Sequence, residues 1–154
     1  MGLVVTDARS HRRPGRSYST PPSERGRVPS ERQQLLAATV TALTHTLVVG
    51  LLWRGFGFES LLAAASTDAL YVGYLVVGML AVGVVPGAGY ARRELVSPLL
   101  VVGALLVGAG TATWLSLRGG ATPVGPTPLG WYALLWPVTL GLAVVAAVGE
   151  ERLA

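Results

Sequence analysis

The sequence predicts an all-α membrane protein whose four transmembrane helices form an up-down bundle, and two features carry this prediction. First, 51% of the 154 residues are hydrophobic and only 13% are charged, whereas about 25% of the residues of a soluble domain are charged. Second, residues 33–53, 69–89, 95–117 and 128–149 contain no Asp, Glu, Lys or Arg. Each stretch has the roughly 20 residues that a helix needs to cross a hydrocarbon core about 30 Å thick. A bundle with short connections is the simplest way to satisfy the backbone polar groups of four such helices in lipid.

The distribution of arginine predicts the orientation of these helices. All 12 basic residues are arginine. If the N-terminus is cytoplasmic, ten of them lie on the cytoplasmic side and two, Arg54 and Arg118, lie on the other side. Such an excess of basic residues in cytoplasmic segments is the usual determinant of membrane topology. We therefore expect a multi-pass protein of the plasma membrane with both termini in the cytoplasm, and the arginine-only basic composition indicates a prokaryotic source.

Residues 1–32 form an arginine-rich tail that we expect to be disordered and cytoplasmic. Its apolar residues are few, so it has little surface to bury. Basic side chains beside the inner leaflet attract anionic lipid headgroups. We assign this role, and that of setting the topology, to Arg25, Arg27, Arg32, Arg92 and Arg93. The charge of the tail is not accompanied by interleaved aromatic residues or a nucleic-acid-binding motif, so nucleic acid is not an expected partner.

Capping residues predict where several helices begin. The predicted spans cover residues 33–53, 69–89, 97–117 and 128–149, and residues 150–154 form a short cytoplasmic C-terminus. Ser30 and Gln33 have the spacing of a capping box, and Asp68 suits the start of the second span. The pairs Ser97-Pro98 and Thr127-Pro128 both predict an N-cap followed by proline at the first helical position.

Three further local patterns predict irregular features between and within the spans. Phe58, Leu61, Leu62 and Ala65 have the spacing of one helical face, which predicts a short helix lying in the membrane surface. Pro86-Gly87 is predicted to end the second span, and Pro137 is predicted to kink the fourth. Aromatic residues near the outer ends of the spans are predicted to anchor the helices at the interface; they are Trp53, Tyr71, Trp114, Trp131 and Tyr132.

His45 is the most notable polar residue of the spans, because it lies near the middle of the first one. An ionisable group at that depth faces either protein or water, and is a functional hypothesis by default. Gln34 and Thr41 fall on the same side of the helix at 100° per residue, so His45, Thr41 and Gln34 form a candidate intramembrane polar path. The alternative interpretation is a neutral histidine that forms hydrogen bonds with a neighbouring helix.

Pairs of small residues four positions apart indicate close helix packing. Glycine and alanine at this spacing let two helix backbones approach one another in a membrane. The pairs are Gly83 with Gly87, Ala104 with Gly108, and Ala143 with Ala147. We interpret them as packing within the chain first and as a dimer contact second.

The sequence argues against catalysis. It contains no cysteine, which excludes thiolate chemistry and cysteine-ligated metals. No catalytic triad, phosphate-binding glycine loop or metal-ligand spacing is present, so we predict no catalytic residue, no metal site and no cofactor. A haem ligated by His45 and Met79 is an alternative.

These observations favour a non-catalytic accessory, assembly or structural subunit that acts through helix packing. Its expected partners are the lipid bilayer and either other membrane-protein subunits or further copies of itself. Two alternatives stay open: a small oligomeric transporter or channel that uses the polar path around His45, and a haem- or quinone-associated membrane subunit. No motif is specific enough to indicate a family.

Overall fold

The computed structural model describes residues 30–123 and 127–153. Most of the predicted disordered tail, including Arg25 and Arg27, lies outside the described residues, as does Ala154. In the described ranges all regular secondary structure is helical. The helices are α1 (Glu31–Gly55), α2 (Leu61–Thr67), α3 (Ala69–Arg93), α4 (Ser97–Arg118), α5 (Pro128–Leu134) and α6 (Trp136–Leu153).

Three of the predicted helix starts are confirmed, because their capping geometry is local. The Ser30 side chain accepts a hydrogen bond from the backbone of Gln33, and the Gln33 side chain accepts one from the Ser30 N–H at 2.9 Å, which completes the capping box of α1. Asp68 accepts from the Tyr71 N–H at 2.9 Å at the start of α3. Thr127 accepts from the Gly130 N–H at 3.2 Å at the start of α5. Each cap satisfies an N–H that lacks a partner within its helix.

The prediction that Ser97 caps α4 is wrong. Ser97 is the first helical residue, and Val96 precedes the helix without a side-chain cap. The Glu150 carboxylate, at the far end of the chain, accepts from the Val96 N–H at 3.1 Å and from the Ser97 N–H at 2.8 Å. It also accepts from the Ser97 hydroxyl at 2.6 Å. A carboxylate suits a helix N-terminus because it meets both the free N–H groups and the positive end of the dipole.

The predicted break at Pro86-Gly87 is also wrong, since α3 continues through Pro86 to Arg93. Proline in a helix removes one backbone hydrogen bond, but the surrounding contacts hold this segment helical. Gly83 and Gly87 are buried against α1: a methyl group added at Gly83 would lie 2.4 Å from the Ala42 Cα atom. Packing with α1 therefore outweighs the local preference of proline.

Pro137 breaks the fourth apolar stretch more sharply than the predicted kink. Helices α5 and α6 meet at Leu135 with a bend of 74°. The bend leaves the Leu134 carbonyl without its usual helical partner, and the Tyr74 hydroxyl of α3 donates to it at 2.8 Å. The bend also places the Trp136 ring directly against Gly78 of α3.

The predicted short helix before α3 is present as α2, capped by Ser60.

Several leucines of α1 point outward, whereas two of its alanines and His45 point inward. Leu43, Leu47 and Leu51 are 60%, 64% and 61% exposed, whereas Ala38, Ala42 and His45 on the opposite side are buried. Extensive apolar exposure of this kind is unfavourable in water. It suits helices whose outer surface faces lipid, with small residues at the helix contacts.

Polar contacts bring several helix ends together at one end of the molecule. Arg92 of α3 donates to the Gln34 side chain of α1 at 3.1 Å. Arg93 forms an ion pair with Glu151 of α6. Together with the Glu150–Ser97 contacts, these bonds gather the start of α1, the end of α3, the start of α4 and the end of α6. Near the other end of α4, the Thr113 hydroxyl accepts from the Leu129 N–H of α5 at 2.8 Å.

Candidate functional site: His45 and the groove between α1 and α4

His45 forms two hydrogen bonds inside the helix assembly. Its Nδ1 atom lies 2.8 Å from the Met79 carbonyl oxygen of α3, and its Nε2 atom lies 2.8 Å from the Tyr132 hydroxyl of α5. A carbonyl oxygen only accepts, so Nδ1 carries the proton and donates. In the neutral ring Nε2 then accepts from the Tyr132 hydroxyl. Both nitrogens are satisfied, and this arrangement requires no charge on the ring.

The His45 contacts join three helices that are far apart in the chain. The broken geometry of α5 and α6 brings Tyr132 to the interior, where its ring centroid lies 6.1 Å from that of His45. Its hydroxyl is therefore bonded to His45, and the interfacial position of its ring stays a prediction. Sequence reasoning missed this partner because Tyr132 lies 87 positions from His45, and no local pattern indicates the contact.

The other two residues of the predicted polar path use their polar groups separately. The Thr41 hydroxyl donates to the Ala37 carbonyl of its own helix at 2.8 Å. Gln34 lies in the first turn of α1, and its side chain accepts a hydrogen bond from Arg92. The structure thus places Gln34, Thr41 and His45 along α1, with the Thr41 hydroxyl bonded to its own helix and His45 bonded to α3 and α5.

The predicted small-residue pairs occupy different environments. Gly83 and Gly87 lie in the contact between α1 and α3; a methyl group at Gly87 would lie 2.7 Å from the Thr41 hydroxyl oxygen. Ala143 of α6 is buried in a cluster with Val82 and Val102, and Ala147 is half-buried. Ala104 and Gly108 of α4 are exposed, and no described atom lies within 4 Å of a methyl group built at Gly108.

The described arginines assigned to headgroups and topology lie at the end where α1 begins and α3 ends. Arg32 is exposed in the first turn of α1. Arg92 and Arg93 are also exposed, and they bond to Gln34 and Glu151 respectively. These two residues therefore tie helix ends together in addition to carrying positive charge.

A groove runs between α1 and α4, with α3 as its floor. It consists of two adjoining depressions of about 460 and 330 Å³ that share Val48 and Leu106. Glycines on the α4 side widen it, since a methyl group built at Gly103 meets no described atom within 4 Å. The α1 wall contains Val40, Thr41, Thr44, His45, Val48 and Leu52, and the α4 wall contains Leu99, Val102, Gly103, Leu106, Gly110 and Trp114. We call this surface the α1–α4 groove.

Comparison with protein-family models, curated proteins and solved structures finds no match. The helices indicate a membrane protein. Three of them, α1, α3 and α4, are long and apolar enough to cross a membrane, and the bent pair α5–α6 is a fourth if it counts as one span.

Proposed function

We propose that this chain is a non-catalytic accessory or assembly subunit of the plasma membrane, which binds a transmembrane helix of a partner subunit in the α1–α4 groove. The observation that carries the proposal is this groove, which the side chains of the described residues leave unfilled. Its walls are mostly apolar and contain glycines, and transmembrane helices approach one another closely at glycine.

The length of the groove favours a helix over a lipid chain as its occupant. The α4 wall extends from Leu99 to Trp114, which corresponds to about 22 Å of helix at ~1.5 Å per residue. One leaflet contributes only half of a hydrocarbon core about 30 Å thick. An acyl chain that stays within its own leaflet thus covers only part of the groove, whereas a transmembrane helix can contact its whole length.

The use of the polar groups weighs against a carrier or channel. A transport path needs polar groups that are free to exchange partners with a solute or a proton. His45 is bonded to Met79 and Tyr132, and Thr41 is bonded to its own helix. Haem ligation by His45 would break its hydrogen bond to Met79 or to Tyr132. The same bonds suit a residue that holds three helices in register.

In the proposed topology the chain crosses the membrane four times, with α5 and α6 as one broken span and both termini in the cytoplasm. The contacts of Glu150 and Glu151 with the start of α4 and the end of α3 support this arrangement.

Because the chain has no native cysteine, single-cysteine variants report topology directly. A membrane-impermeant maleimide is expected to label Ala121→Cys in intact cells, and to label Arg152→Cys only after permeabilisation. Equal labelling of both variants in intact cells would contradict the topology.

Purification from native membranes in a mild detergent tests the proposed function. We expect tagged wild-type protein to retain one membrane-protein partner in stoichiometric amount, as measured by mass spectrometry. Gly103→Leu should release this partner, because the Cβ position at Gly103 is open to the described atoms and the larger side chain extends into the groove. Gly108→Leu is the matched control, since it lies on the same helix outside the groove and is equally open. A clean oligomer of this chain alone, or a partner retained equally by Gly103→Leu, would overturn the proposal.

A further inference from the structure

A second cavity lies at the end of the molecule opposite the Glu150–Ser97 contacts. It has a volume of about 500 Å³ and lies among the end of α1, the helix α2, the start of α3 and the helix α5. Cavities of about 300–1,000 Å³ accommodate small organic ligands. Four aromatic side chains line it: Trp53, Phe58, Tyr71 and Trp131. We call it the aromatic pocket.

The α1 side of the aromatic pocket is held in place by internal contacts. The rings of Trp53 and Phe58 stack with centroids 4.5 Å apart. The indole N–H of Trp53 donates to the backbone carbonyl of Glu59 at 3.0 Å. The hydrogen bond satisfies the indole N–H of Trp53, and it uses the backbone carbonyl of Glu59 and not its carboxylate. The pocket is therefore partly preformed, which lowers the cost of ordering it around a ligand.

The charge of the described pocket lining is negative. Glu59 is the single charged residue among the described residues that line it, and no arginine takes part in the lining. Aromatic faces attract cations, because the ring quadrupole places negative charge on the face. Four aromatic rings together with one carboxylate complement an organic cation that also carries apolar groups. An anion would meet the Glu59 charge, and no basic residue among the described lining residues would offset it.

From this geometry we infer that the aromatic pocket binds alkylated ammonium cations with an apolar substituent. The binding group is the quaternary or tertiary ammonium, which contacts the aromatic rings and the Glu59 carboxylate. The same chemistry occurs in a free organic cation and in a choline lipid headgroup, so the test includes both sources. This inference is independent of the groove and of the partner proposed for it.

Equilibrium dialysis of the full-length protein in a non-ionic detergent tests the inference. The probe is phenyltrimethylammonium, and tert-butylbenzene is its neutral counterpart of nearly the same shape. We expect saturable binding of the cation that tert-butylbenzene does not displace. Short-chain phosphatidylcholine is the second competitor; displacement of the probe by it identifies a lipid headgroup as a natural ligand, and absence of displacement assigns the site to free cations.

Two substitutions should weaken binding of the probe. Trp131→Leu removes one ring, and from typical cation–π strengths it should raise the dissociation constant roughly two- to thirtyfold. Glu59→Gln removes the negative charge but keeps the backbone carbonyl that holds Trp53, and it should also weaken binding. Tyr90→Leu is the control: Tyr90 and Trp131 are similarly exposed, at 50% and 49%, but Tyr90 lies near the end of α3 and lines neither this pocket nor the α1–α4 groove. Its dissociation constant should equal that of the wild type.

Three results would overturn the inference. They are the absence of saturable binding by the wild type, equal competition by tert-butylbenzene, and dissociation constants for Glu59→Gln and Trp131→Leu that equal that of Tyr90→Leu. The comparison of the charged and neutral probes needs only the wild-type protein, so it decides the question even if a variant fails to fold.

Discussion

Replacement of Gly83 by alanine is expected to lower the free energy of unfolding by about 1–3 kcal/mol, the usual cost of overpacking a tight contact. The added methyl group would lie 2.4 Å from the Ala42 Cα atom and 3.0 Å from the Thr41 carbonyl oxygen. Both are backbone atoms of α1, so no side-chain rotation relieves the clash. The two helices must separate, and the contact that holds α1 against α3 is weakened along its length.

Gly73→Ala is the control for this prediction because it makes the same chemical change on the same helix. A methyl group built at Gly73 meets no described atom within 4 Å. Alanine is favoured over glycine in a helix by up to about 1 kcal/mol, so this variant should be as stable as the wild type or more stable. Unfolding of both variants by SDS in mixed micelles gives the comparison. Equal stability of Gly83→Ala and Gly73→Ala would show that the α1–α3 contact tolerates a wider separation.

Replacement of His45 by leucine is the second change with a large expected effect, at about 1–3 kcal/mol of lost stability. A side-chain hydrogen bond in a membrane protein contributes ~0.6 kcal/mol on average and up to about 1.7, and His45 makes two. Leucine also leaves the Tyr132 hydroxyl without the nitrogen that it bonds at 2.8 Å. An unsatisfied hydroxyl inside a helix assembly adds a desolvation cost.

A double-mutant cycle separates the His45–Tyr132 bond from other effects of the substitution. His45→Leu and Tyr132→Phe should each destabilise the protein, and the double variant should lose less than the two losses added together. Thr44→Val is the control; it removes a hydroxyl from the adjacent residue, which is exposed in the groove, and should change stability by less than about 0.5 kcal/mol. Additive losses in the cycle would show that the two side chains do not stabilise one another. A loss of transport with unchanged stability would favour the carrier interpretation instead.

The parts of the fold that could be predicted from the sequence depend on neighbouring residues. The Ser30–Gln33 capping box, the Asp68 and Thr127 caps and the short helix α2 each involve residues within a few positions of one another. The apolar stretches predicted helices long enough to cross a membrane, because length and composition alone determine that property. His45 could be singled out from the sequence because its distance from the two ends of the first apolar stretch can be counted in residues.

The parts that could not be predicted depend on contacts between distant residues. Pro86 continues a helix because Gly83 and Gly87 pack on α1. Ser97 is not a cap because Glu150, 53 positions away, takes over that role. Tyr132 reaches His45 only because the chain bends by 74° between α5 and α6.

The sequence by itself therefore determined the helical, lipid-compatible composition and three of the helix starts, since these follow from hydrophobic length and local hydrogen bonding. Only the tertiary structure decided which polar groups bond to one another and where the groove and the aromatic pocket lie. The physical reason is that apolar transmembrane helices have similar surfaces. Which faces meet depends on the fit of small residues such as Gly83 and on bonds such as His45–Tyr132, and neither leaves a periodic pattern in the chain.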